Sequence, residues 1–142
     1  ISVVQFDLAA AERLSFESQL RLDEEDYVEA DALAYRAMLQ AALALVRNIF
    51  PDVTDDADTI VQEFRTRFYE TELLGDRYAG SKFAQYLFKR HASPPTEHSH
   101  DQAHRTVEEA QLFIESAYAC NDIMTQRAAL PGQTGKIVNS RQ

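Results

Sequence analysis

The sequence predicts an all-α fold, a helical bundle of about five helices built around a buried, alanine-rich central helix. Apolar residues recur at helical spacing in five separate stretches, and only Ile1 to Phe6 is short and β-branched enough to read as a strand. Between Ala30 and Val46 the pattern is sharpest. Ala30, Ala34, Ala37, Ala41 and Ala44 stack into one narrow stripe, while Leu39, Leu43 and Val46 point the other way. Polar Glu29, Arg36, Gln40 and Arg47 share about one sixth of the circumference, so protein must cover the rest. An alanine seam lets a second helix approach closely, and Leu33, Met38 and Leu45 fill its flanks.

Each element has its own warrant. Asp7 is a good N-cap, so the first helix is expected from about Asp7 to Leu22, carrying Leu8, Leu14, Phe16 and Leu20. The acidic turn Asp23-Glu24-Glu25-Asp26 follows and puts negative charge at the positive dipole end of the central helix. That helix stops near Phe50, because Pro51 cannot continue it. Thr54-Asp55-Asp56 opens a third helix with Ala57, Ile60, Val61, Phe64 and Phe68 as its apolar stripe and Arg65 and Arg67 directed away from the centre of that stripe. Gly75 to Gly80 reads as a loop, and Phe83, Ala84, Leu87 and Phe88 mark a fourth helix that ends before Pro94-Pro95. Ser99 and Gln102 have capping-box spacing at the start of a fifth helix, whose inward face is Val107, Ala110, Ile114, Ala117 and Tyr118. The bundle domain is expected to span residues 1–129, and Leu130-Pro131-Gly132 begins a flexible tail or linker over 130–142.

A chain of 142 residues with 45% hydrophobic and 26% charged side chains suits one globular domain. Its net charge of −9 disfavours a polyanionic partner such as nucleic acid, which is held by clustered Lys and Arg. Cys120 is the only cysteine, so no internal disulfide can form and a reducing, cytoplasmic setting is the simplest expectation. Its apolar neighbours Ala117, Tyr118 and Met124 suggest a buried, inert thiol. No apolar run reaches the roughly 20 residues that span a bilayer. A start at Ile1 fits a piece of a longer polypeptide, or trimming of a tag.

Chemistry-bearing residues are few. His98, His100 and His104 are close enough to suggest a divalent metal site, since His100 and His104 are four apart on one helix face and Glu97 or Asp101 can complete the shell. A loop and first helical turn rich in such residues is also an ordinary solvated connection. No HExxH, CxxC or pair of ExxH motifs is present, so neither metal nor cofactor is favoured in this chain. Glu108, Glu109, Glu115 and Asp122 fall mostly outward, and no acidic residue is read inside an apolar stripe, as a catalytic carboxylate with a shifted pKa requires. No glycine-rich phosphate loop occurs. Ser15, Ser18 and Ser116 lie in helical patterns and carry no nucleophile signature, so no catalytic residue is assigned. One basic and aromatic district remains: Arg65, Arg67, Arg77, Tyr78, Lys82, Tyr86 and Arg90, interleaved with Tyr69, Phe83, Phe88 and Lys89. It can offer stacking and phosphate contacts or meet an acidic protein, or its aromatics are core and its cations serve helix ends.

The alanine-rich helix with Tyr35-Arg36-Ala37-Met38-Leu39, followed by the late Glu108-Glu109-Ala110-Gln111-Leu112-Phe113 helix, resembles a HEPN domain over about Phe16 to Met124. That resemblance implies a dimerising or partner-binding bundle, with nucleotide or RNA binding or nuclease activity as the alternative. Ribonuclease members carry an Arg followed a few residues later by a His. Here Arg90 is followed at once by His91 and next by His98, and no His follows Arg105, so the catalytic spacing is missing. Val3-Val4-Gln5-Phe6-Asp7-Leu8 leading into such a bundle is similar to a C-terminal extension of bacterial ferredoxin-type sulfite or nitrite reductases. This second resemblance implies an accessory domain whose parent enzyme, not this single-cysteine chain, holds the siroheme and iron-sulfur cluster. A non-catalytic interaction domain, dimeric or packed on its parent, is therefore the expectation, with the basic and aromatic district or a remainder of the alanine seam as its contact surface.

Overall fold

A computed structural model describes residues 2–71 and 80–129. It is an all-α bundle: α1 (Val3–Asp23), α2 (Tyr27–Ile49), α3 (Ala57–Phe64) running into a π-helical turn at Arg65–Tyr69, α4 (Gly80–Ala92) and α5 (His100–Ala129). No strand occurs among the described residues. The strand-like signal at the N-terminus is overruled by a capping box. Ser2 Oγ accepts the Gln5 amide at 3.2 Å while Gln5 Oε1 accepts the Ser2 amide at 3.1 Å, so α1 starts at Val3 rather than near Asp7.

The α1–α2 corner closes in a Schellman arrangement, with the Asp26 amide bonded to the Arg21 carbonyl at 2.9 Å and the Glu25 amide to that of Leu22 at 2.9 Å. Glu25 takes the left-handed backbone position, φ 64°, that usually falls to glycine. Asp26 then caps α2 by accepting the Glu29 amide, and Asp56 caps α3 by accepting from both the amide and hydroxyl of Thr59. Past Phe64 the helix widens, and the Glu70 amide reaches the Arg65 carbonyl at 2.8 Å. Of the loop expected from Gly75 to Gly80, residues 75–79 lie outside the described residues, and Gly80 already belongs to α4. The expected tail at 130–142 also lies outside them.

Helix α2 packs against all four other helices, and α5 lies against both α1 and α4. Ala30, Ala34, Ala37, Ala41 and Ala44 are each 0% exposed. The seam is therefore consumed within the chain, and no remainder of it is open for a second copy. Between α3, α4 and α5 the core is aromatic: the Phe64 ring lies 5.8 Å from Phe68, 6.0 Å from Phe88 and 5.5 Å from Phe113. Because the seam is closed on all sides, Ala37→Leu is expected to overpack it and cost about 1–3 kcal/mol in chemical denaturation. A neutral result would mean the neighbouring helices stand further off than the geometry has them.

Candidate functional site

Among the described residues of the basic and aromatic district, each arginine lies over a ring. The Arg65 guanidinium lies 4.0 Å over the Phe88 ring, Arg67 lies 3.6 Å over Phe50 and pairs with Glu63 at 2.9 Å, and Arg90 lies 4.5 Å over Tyr35. Three cations thus close on three different rings within the chain. Tyr86 stacks on Phe83 at 5.6 Å, Lys82 is exposed, and Arg77 and Tyr78 lie outside the described residues.

Arg90 leads to a residue that periodicity alone passes over. Asp31 sits on α2 opposite its polar strip and is 1% exposed, so the expectation that no carboxylate enters an apolar stripe is corrected. Its Oδ2 accepts Arg90 Nη2 at 2.8 Å and Nε at 3.1 Å, and its Oδ1 accepts Gln102 Nε2 at 2.9 Å. Burial pushes the Asp31 carboxyl up, but the bonds from Arg90 and Gln102, with the Thr106 hydroxyl beside them, outweigh that and hold it below its ordinary value. Gln102 was expected to complete a capping box with Ser99. Only half forms: the Gln102 amide donates to Ser99 Oγ at 3.1 Å, while its side chain turns inward to Asp31 and Thr106.

Next to this cluster, the Tyr35 hydroxyl lies 2.7 Å from His91 Nδ1, and His91 Nε2 lies 2.8 Å from Asp58 Oδ1. A carboxylate only accepts, so Nε2 carries the hydrogen in its contact with Asp58. Burial, and more weakly Asp58, push the Tyr35 phenol up against the opposing pull of Arg90, which keeps it protonated at neutral pH. The carboxylate, imidazole and phenol tie α3, α4 and α2 together. These contacts engage both Arg90 and His91 within the chain.

Of the clustered histidines, two come together on α5. His100 and His104 stack at 5.7 Å, with Asp101 and Glu108 each 3.4 Å from an imidazole nitrogen, and His98 is exposed. Among the described residues no three His, Cys, Asp or Glu side chains converge as a metal ion requires. The Ser18 hydroxyl donates to the Ser15 carbonyl at 2.6 Å inside the core. Cys120 is buried, and burial pushes its thiol up to about 11, which suppresses the reactive thiolate. Among the described residues, no helix is long and apolar enough to cross a membrane.

A different feature stands open. α1 is apolar on two faces: Val4, Leu8, Ala11, Ser15, Ser18 and Leu22 are buried, while Phe6 (58% exposed), Phe16 (66%) and Leu20 (40%) face outward. Phe6, Ala9, Arg13, Phe16 and Leu20 follow the alternating three- and four-residue spacing of a coiled-coil seam, a signal that sequence reading merged with the inward stripe. Beside this face α1 and α5 border a groove of about 810 Å³ lined by Ala9, Phe16, Ile114 and Tyr118 and by Glu12, Arg13, Glu17 and Glu115. The Tyr118 hydroxyl bridges the two helices to Glu12, and burial followed by that carboxylate pushes the phenol up to about 12. Comparison with protein-family models, curated proteins and solved structures finds no match to this chain.

Proposed function

We propose that this chain is a non-catalytic helical interaction domain, an accessory module that docks onto another part of its parent polypeptide. The outward seam of α1 carries the reading: Phe6, Phe16 and Leu20 stand exposed on a helix whose opposite face already fills the core. Catalysis has weaker support, since Arg90 pairs with Asp31 and His91 is held between Tyr35 and Asp58. The resemblance to the extension of a sulfite or nitrite reductase would make the parent an oxidoreductase that carries its own siroheme and cluster.

Cysteine labelling tests the reading. Phe16→Cys places a reactive thiol on the seam, against a background of one buried thiol, Cys120. Maleimide is expected to label that cysteine rapidly in the isolated chain and far more slowly in the full-length polypeptide. Equal rates in the two settings would show that nothing covers the seam. The substitution itself is expected to change stability by no more than about 0.5 kcal/mol, because the side chain is mostly in water.

A further inference from the structure

We propose that the occupant of the α1–α5 groove is an amphipathic helix with a basic polar face, from another protein segment and not from a second copy of this chain. The inference rests on the docking role argued above and adds the chemistry of the partner. The seam spacing of Phe6, Ala9, Arg13, Phe16 and Leu20 accepts knobs from a helix, which buries its own apolar stripe at the matching period. A strand would match this period poorly.

Charge selects among helices. Glu12, Glu17 and Glu115 line the groove against the single cation Arg13. On α5, Asp122 follows Glu115 by seven residues, about 10 Å along the helix axis, and both are exposed, while Glu108, one heptad before, lies beside His104. A partner helix with Lys or Arg every seventh residue meets each carboxylate in turn, which aligns it and speeds encounter. A second copy would bring like carboxylates together on a chain whose net charge is already −9.

The probe is a labelled, end-capped 14-residue peptide of leucine and lysine at heptad spacing, beside its counterpart with glutamate for lysine. Anisotropy titrations are expected to show the basic peptide binding at least about tenfold more tightly than the acidic one. Phe16→Ser leaves the net charge unchanged and is expected to weaken the basic peptide by about tenfold, which separates groove binding from general attraction to an acidic protein. The double variant Glu17→Lys and Glu115→Lys is expected to reverse the preference. Equal affinity for both peptides, no binding of either, indifference to Phe16→Ser, or a dimer in light scattering that Phe16→Ser dissolves would each overturn the proposal. If the seam is protected in the full-length polypeptide and the basic peptide fails here, the docking role stands and only the partner chemistry falls.

Discussion

Asp31→Ala is expected to cost about 3–5 kcal/mol of folding stability, the usual loss when one member of a buried ion pair is removed. The Arg90 side chain is only 15% exposed, and the truncation strips its guanidinium of the carboxylate while leaving Gln102 Nε2 without its acceptor on α2. Urea unfolding followed by circular dichroism measures this as a fall in midpoint at unchanged slope. The paired change Asp31→Leu with Arg90→Met removes both charges and is expected to recover much of the loss. If the double variant is as unstable as the single, the ion pair is not the cause. The pH dependence has a definite sign. The folded Asp31 carboxyl is held below its unfolded value, about 3.9, so its stabilisation is present above that pH and disappears as pH falls through the folded value. The gap between the parent chain and Asp31→Asn should therefore narrow in acid.

Phe64→Ala is the second large effect, with an expected loss of about 3–5 kcal/mol. Phe64 is 0% exposed, and its ring meets Phe68, Phe88 and Phe113, so the cavity opens where α3, α4 and α5 converge. Rigid aromatic neighbours fill such a void poorly. Phe64→Leu, which keeps most of the volume, is expected to lose clearly less, and a thermal melt in which the two variants coincide would mean that packing around this ring is not what it contributes.

The bundle was legible in the sequence because α2 carries its evidence locally. Five alanines in one stripe and Pro51 after Phe50 suffice to enclose and end a helix. The start of α1 is hard to read because two β-branched residues at Val3-Val4 mask the Ser2–Gln5 box. The buried carboxylate is hidden from periodicity for a different reason. Asp31 looks like any helical carboxylate until Arg90 and Gln102, distant in sequence, arrive to neutralise it, and periodicity does not register a charge that other helices satisfy. Arg65, Arg67 and Arg90 form a tempting basic run along the chain, yet each bends back over a different ring. The outward seam was hidden for a third reason. On α1 two apolar stripes nearly oppose each other, so the amphipathic signal cancels and Phe16 and Leu20 read as core.

The cluster at Asp31 also bears on how an unfinished chain behaves. Arg90 and Gln102 follow Asp31 by 59 and 71 residues, so in a polypeptide emerging from the ribosome with only its first two helices, the face of α2 that bears Asp31 is still uncovered and water solvates the carboxylate. The helices that later take this carboxylate out of water, α4 and α5, are the ones that carry its donors, so burial and neutralisation arrive together.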